Sequence, residues 1–418
     1  MIAADEIDHG LIRQASVTGA LLIGNYIAWA LGAPAWLAMV FFSLACASSA
    51  LFFVRGPIAR ALPIKLFVLA CVVLALGSPT LGWDTRSIWM FHAKRLYFDS
   101  SLYAQFDNYA SWSSNDYPDF VPALSATFAR MLGHWSETAL KVTSVFALFP
   151  ALLVAAACLK TNARQLIFVI ALAFVSGDQI FDGYMDWLIA VYSCAAALLL
   201  FLLLDRGVPE ESKSGLTAAA VVVITILTLT KNEGSATLAA ILSGAVLVAL
   251  TTPELKFNAR AIAVIALSLI LIAAWKIACV QFGVTSELAS AGFLSRMLER
   301  ASSFPNWVQI LGALTMQKEF LAPLTLAALF AIPYGRDAYF RFLVSAAAIY
   351  FGVLVLVYLS TPRDLNGHLG SSADRTIMPV NLLLAYAVIS TSALRQRVRI
   401  EWPWFGESRS EKVNSPSH

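Results

Sequence analysis

The sequence predicts an all-α polytopic membrane helical bundle of about twelve transmembrane helices, and three observations predict it. Hydrophobic residues fill 59% of the 418 positions and charged residues only 13%, with a mean hydropathy of +0.72, far outside soluble composition. Apolar runs of roughly 15–22 residues recur along the chain, near the length a ~30 Å hydrocarbon core asks of a helix. Basic residues gather in alternate connections between those runs, as the positive-inside rule requires of a chain that crosses repeatedly.

The first run, 16–33, follows an acidic leader, MIAADEIDHG, that lacks the basic region of a cleavable signal peptide, so it reads as a retained span. Runs 36–54 and 63–79 come next. A polar, aromatic-rich segment, 81–140, then separates the third span from the fourth, far longer than an ordinary connection. Beyond it lie runs 141–159, 165–178, 187–204, 216–230, 235–251, 260–282, 319–333, 341–359 and 376–392, several short enough to borrow flanking residues. Residues 1–400 read as a single membrane domain, with no internal repeat and no low-complexity tract. The stretch 401–418 reads as a disordered cytoplasmic tail.

Arg55, Arg60 and Lys65, Lys160 and Arg164, Arg206 and Lys213, Lys256 and Arg260, Arg336 and Arg341, and Arg395, Arg397 and Arg399 occupy every other connection. That side is expected to be cytoplasmic, with both termini on it. The net charge of +3 is spread over these loops, which argues for topology and against nucleic acid. The five cysteines all lie within apolar runs, the placement of small buried hydrophobes and not of a disulfide framework or a metal site.

The opposite side receives the 81–140 loop, the turn GDQIFDGYMD, the KNEGS junction, the segment 283–318 and TPRDLNGHLGSSADR. Asp84 follows the third span. If 87–97 is helical, Trp89, Met90, Ala93, Leu96 and Tyr97 share one face, opposite Ser87, Lys94 and Arg95. This pattern predicts an interfacial helix with Trp89 at headgroup level, holding Asp84 near the bilayer surface. A carboxylate that merely starts a helix is the plainer alternative. Asp116, Tyr117, Pro118 and Asp119 make a rigid polar corner ahead of Pro122, or simply open a second interfacial helix.

Three further groups stand at span ends. Asp182 and Asp186, at i and i+4, suit a sugar hydroxyl or a divalent cation if they share a helix face. Lys231 and Glu233 interrupt two apolar runs with hardly any loop, either as a mutual ion pair or as part of a cavity where the lysine meets a phosphate. Arg363, Asp364, His368, Asp374 and Arg375 precede the last span, and an arginine there can grip phosphate or snorkel to the interface.

In order and sidedness these motifs resemble the GT-C superfamily of integral-membrane glycosyltransferases, which includes protein O-mannosyltransferases and the bacterial aminoarabinose transferase. The resemblance runs from Asp84 and the helix ending AKRLYF, through DYP with Pro122, DGYMD and TKNEG, to SSADR before a late span. It departs in one respect: the large loop follows the third span here, and the first in most members. The resemblance implies a polyprenyl-phosphate sugar donor, a lipid, glycan or protein acceptor, and a site on the extracytoplasmic face, here the periplasmic side of a bacterial inner membrane. It makes Asp84 the expected base, with Asp116 as the second catalytic carboxylate. Lys231 and Arg375 are the leading phosphate contacts. Lys94, Arg95 and His368 stand behind them, and Tyr117, Asp182, Asp186 and Glu233 complete the expected substrate-binding set. No cofactor is fixed by the resemblance and a divalent cation stays open, since no adjacent acidic pair or DxD follows Asp84 to carry over the metal dependence of some members. A polysaccharide polymerase or ligase, which would place its main loop late in the chain, and a lipid-linked-sugar flippase, which would show paired repeats, are the alternative classes.

Overall fold

The computed structural model describes residues 7–54, 61–79, 81–286 and 292–394; the expected tail lies outside them. Among the described residues the chain is all-α, with a single isolated bridge between Asp205 and Leu255.

Asp8 caps α1 (His9–Ala30), its carboxylate accepting from the amides of Gly10 and Leu11. A turn with Gly32 in the left-handed region leads to α2 (Ala35–Val54), which packs back on α1. After α3 (Leu62–Gly77) the long loop is itself folded. A π-turn (Thr85–Trp89) runs into α4 (Met90–Asp99). Two 3₁₀ turns (Ala104–Asp107 and Ser111–Ser113) follow, then α5 (Phe120–Leu132). The next helices are α6 (Thr138–Ala157), α7 (Asn162–Ser176), the single turn α8 (Gln179–Asp182), α9 (Asp186–Leu204), α10 (Glu210–Thr230) and α11 (Asn232–Ala249). Helices α12 (Ala259–Ser268) and α13 (Ile270–Gln281) form one apolar rod of 23 residues. Beyond them come α14 (Phe293–Ala301), α15 (Phe304–Thr315), α16 (Lys318–Tyr334), α17 (Ala338–Ser360), α18 (Leu365–Thr376) and α19 (Met378–Leu394).

Each of the twelve apolar runs lies mostly within a helix. Among the described residues seven helices are long and apolar enough to cross a membrane: α2, α6, α9, α10, α11, the α12–α13 rod and α17. Helices α3, α7, α16 and α19 have only 15 to 17 residues, and α1 carries Arg13, Gln14 and Asn25 among its apolar positions. Helix α9 is the axis of the bundle: every residue from Asp186 to Leu204 is buried. An all-round apolar helix takes that place because it has no polar face to give to solvent.

The bundle has two distinct ends. At one, the Asp8 amide donates to Ala157 O (2.9 Å), the Lys256 amide to Leu204 O (3.0 Å), and Arg341 to the Thr251 and Thr252 hydroxyls (3.0 and 2.8 Å). The other end collects the folded loop, the start of α9, the α10–α11 junction and α18.

One expectation about the loop is overturned. The apolar face of α4 meets protein, not a lipid surface: Trp89 is 1% exposed, Ala93 and Leu96 are fully buried, and Trp89 stacks on Tyr117 (5.5 Å, 22°). Helix α5 likewise packs against α2, α4 and α6, burying Phe120, Leu124 and Ala126. An amphipathic pattern fixes which face is covered; neighbouring helices decide what covers it.

Candidate functional site

At the loop end lies a cavity of about 640 Å³, within the usual range of small-molecule sites. Its walls differ in character. Along α17 it runs from Thr361 down past Tyr358, Val357 and Leu354 to Tyr350, roughly 16 Å at 1.5 Å per residue, and this wall is largely apolar. The charged part of the lining comprises Asp84, Asp116, Lys231 and Glu233, with Arg363, His368 and Arg375 near the α17–α18 turn.

Residues far apart in sequence form one chain of charges here. Arg375 Nη1 donates to Asp84 Oδ2 at 2.5 Å and lies 3.7 Å from Asp186 Oδ2. Lys231 Nζ pairs with Asp186 Oδ1 at 2.9 Å and with Glu233 Oε1 at 3.0 Å. The Tyr117 hydroxyl donates to Glu233 Oε1 at 3.4 Å, and the Lys231 ammonium sits 5.7 Å from the Tyr117 ring centre. The Arg375 guanidinium lies over Tyr184 at 4.5 Å and also donates to Ser371 O. Three carboxylates against two cations leave one net negative charge, and both cations bridge two carboxylates.

Local sequence explains why these groups meet. Gly82 lies under the Tyr184 ring, where a Cβ would come within 2.0 Å of the ring, so only glycine lets the Asp84 turn close on the α8–α9 turn. Gly234 does the same at the α10–α11 junction, where a Cβ would fall 1.9 Å from Leu227 O; this close approach seats Lys231 and Glu233 on one wall. Burial tends to lower the ionisation of Arg375, but the Asp186 and Asp84 carboxylates outweigh it and hold it above the ordinary arginine range. Burial pushes the Tyr117 phenol well up, with Glu233 adding to it, so Tyr117 stays a neutral donor. His368, held by Thr361 Oγ1 at 2.8 Å and edge-on to Tyr358, is pulled down to about 4 by burial and then by Arg363, Lys231, Arg300 and Arg375. It faces the cavity as a neutral imidazole.

A second polar centre surrounds Asp116. Asn232 Nδ2 donates to its Oδ2 at 2.6 Å, and Lys276 Nζ lies at 3.5 Å from the same oxygen. Trp275 Nε1 and Lys276 Nζ both donate to the Asp116 carbonyl at 3.0 Å. Sequence reasoning passed over Lys276, Asn232 and Tyr184. The signal for Lys276 was present: a lysine five residues before the end of an apolar rod is costly unless something polar meets it.

Three expected site residues stand elsewhere. Lys94 is exposed, away from the cavity. Arg95 is spent on the loop itself, pairing with Asp99 (2.6 Å) and Asp107 (2.8 Å) and donating to Ala104 O (3.0 Å). Asp182 and Asp186 do not share a helix face, because Gly183, at φ +83°, breaks the chain between α8 and α9. The carbonyl of Asp182 accepts from Thr85 Oγ1 (2.6 Å) and the Gly82 amide (3.2 Å), so this residue steadies the Asp84 turn and makes no paired cation site with Asp186. Among the described residues no three His, Cys, Asp or Glu side chains form a metal-holding group.

Beneath the loop, His92 Nδ1 meets Asp119 Oδ1 at 2.8 Å and His92 Nε2 meets Ser113 Oγ at 3.2 Å, with Gln105 donating to Asp119 Oδ2. The arrangement has the composition of a hydrolytic triad but not its chemistry. All four side chains are buried, and Ser113 gives its one proton to Ser87 O at 2.6 Å, so His92 cannot take it. It is a staple joining α4, both 3₁₀ turns and the start of α5. Burial raises the Asp119 carboxyl above its usual range.

No family model, no curated protein and no solved structure matches this chain.

Proposed function

We propose that the chain is a membrane glycosyltransferase of GT-C type. It moves a sugar from a polyprenyl-phosphate donor to a lipid, glycan or protein acceptor at the extracytoplasmic face of a bacterial inner membrane. The observation that carries this reading is the Asp84–Arg375–Asp186–Lys231–Glu233 chain along a cavity with one charged and one apolar wall. A ligand with a greasy tail suits the apolar wall, and a phosphate head that draws Arg375 or Lys231 off its carboxylates suits the charged one. The alternating basic connections support the sidedness.

In this reading Asp84 accepts the proton of the acceptor hydroxyl while that oxygen bonds to the anomeric carbon. The bond from that carbon to the phosphate oxygen breaks, and its electron pair leaves on the lipid phosphate. Single displacement inverts the anomeric centre. Arg375 and Lys231 supply fixed positive charge where negative charge develops, the kind of stabilisation that dominates many transfers. A carboxylate bonded to a guanidinium is a weak base. A donor phosphate competing for Arg375 loosens its bond to Asp84, so donor binding and activation of the base become one event. Asp116, fixed by Asn232 and Lys276, is left to orient the acceptor.

The test is Asp84→Asn, assayed with a panel of labelled polyprenyl-phosphate hexoses and pentoses. Transfer should fall by ~10²–10⁴, the range expected of a general base. Donor binding should hold or tighten, because Arg375 is no longer shared with a carboxylate. A loss of only a few-fold in transfer would reject Asp84 as the base, and failure of every donor to bind wild type would reject the donor class.

A further inference from the structure

Helix α14 has a sharply amphipathic sequence, FLSRMLERA, yet no residue of it is buried. At 3.6 residues per turn its side chains fall into three strips. Arg296 and Arg300 face the protein, with Met297 and Ala301 partly buried beside them. Arg296 Nε donates to Ser360 O at 3.0 Å, and Arg300 Nη1 to Tyr358 O and Thr361 O at 3.2 and 2.6 Å. Arg300 Nη2 adds Arg363 O at 3.0 Å. Leu294 and Leu298, one turn apart, form the second strip and are each 60% exposed. Ser295 and Glu299, also one turn apart and exposed, form the third. Water gives no reason for the leucine strip, and hydrocarbon gives none for the glutamate.

Independent observations set the depth of this helix. The carbonyls its arginines hold are at the end of α17, whose 23 residues make about 34 Å at 1.5 Å per residue, just longer than a ~30 Å hydrocarbon core. Helix α14 therefore sits where a span emerges, at the loop end of the bundle, because Tyr358, Thr361 and Arg363 also border the large cavity. Helix α15 repeats the pattern. Its Phe304, Val308 and Leu311, at i, i+4 and i+7, are exposed, while Ile310 and Leu314 on another face are buried and the helix packs against α18. Apolar exposure continues along α16 with Leu321, Leu324 and Leu329.

We propose that α14 and α15 are a membrane-surface pair that lies in the bilayer interface at the loop end of the bundle. Leu294, Leu298, Phe304 and Val308 are set among the acyl chains, and Ser295 and Glu299 face water. Phospholipid is the occupant because the leucine strip has protein on one flank and a polar strip on the other, as in a helix lying in the interface plane. The depth set by the end of α17 is the depth such a helix needs. The grip of Arg296 and Arg300 on that end then fixes the height of Arg363 and His368, so the large cavity opens at headgroup level. This inference does not rest on the glycosyltransferase reading.

Nitroxide labels test it, placed by Leu298→Cys, Val308→Cys and Glu299→Cys in the full chain cleared of its five native cysteines. The protein is reconstituted in phosphatidylethanolamine–phosphatidylglycerol nanodiscs. Power saturation then compares oxygen, which concentrates in lipid, with a nickel chelate, which stays in water. All three positions are exposed, so the labels displace no packed side chain. The labels at Leu298 and Val308 should read ~5–10 Å below the phosphates, the depth of an interfacial helix's apolar face, and the label at Glu299 above them. Nickel access at Leu298 equal to that at Glu299 would place α14 in water and overturn the proposal. Shielding of Leu298 and Val308 from both reagents would mean that protein, a second copy included, covers the strip, and would overturn it too. In the unaltered chain, a phosphatidylcholine with a diazirine near the start of one acyl chain should crosslink within 293–311. Absence of that crosslink would overturn the proposal even if the cysteine-free chain failed to fold.

Discussion

Arg375→Gln is the most incisive perturbation of the charge chain, because this one side chain serves two buried carboxylates. Wild type sets Asp84, Asp186 and Glu233 against Lys231 and Arg375. The variant leaves three carboxylates to one ammonium, and Asp84 loses its 2.5 Å partner outright. Breaking a buried pair by deleting one member costs ~3–5 kcal/mol, since the survivor stays desolvated. A Coulomb estimate agrees: unit charges near 4 Å at an effective dielectric of 20 interact by ~4 kcal/mol. In a thermal melt this amounts to roughly 5–10 °C, taking ~2 °C per kcal/mol for a chain larger than the usual calibration set. The companion Asp84→Asn/Arg375→Gln replaces both partners with neutral amides of similar shape and should recover a good part of the loss. The assay is fluorescence-detected unfolding of the four proteins of that cycle in one detergent at neutral pH. A single variant melting within about 1 °C of wild type, with no recovery in the double, would show that the chain of charges is not a coupled unit.

Two other outcomes are expected. His368 ionises near 4 in the folded chain against about 6.5 unfolded, so the unfolded state binds the extra proton between those values. The contribution of its neutral ring is therefore present above 6.5 and lost as pH falls toward 4; melting temperatures measured over that window should fall less steeply in His368→Gln than in wild type, and parallel curves would refute the assignment. Asp119→Ala strands His92 Nδ1 and Gln105 Nε2, at about 1–3 kcal/mol for each buried unpartnered group. Limited proteolysis should then cut within 100–118 faster than in wild type, and equal rates would mean that the staple does not hold the loop.

The sequence by itself determined the helices, because burying a backbone in an apolar medium forces its polar groups to pair within the segment, and long apolar runs can do so only as helices. It also singled out Asp84, Asp186, Lys231, Glu233 and Arg375, since charges at the ends of apolar runs are too costly to be accidental. Tertiary structure alone decided who meets whom. Asp84 and Arg375 are separated by 291 residues, and nothing local to either specifies the other. Trp89 carries the pattern of a membrane-surface helix, yet it is buried with Tyr117 stacked on it, because the period of a helix states which face is apolar and not what lies against it. Asp182 and Asp186 have the spacing of a shared face, but a positive φ at Gly183 separates them, and Arg95 turns to Asp99 and Asp107 and away from the cavity. Lys276 and Asn232 join Asp116 only because α13, α11 and the folded loop converge at one end of the bundle, a convergence that depends on the packing of the whole chain around α9.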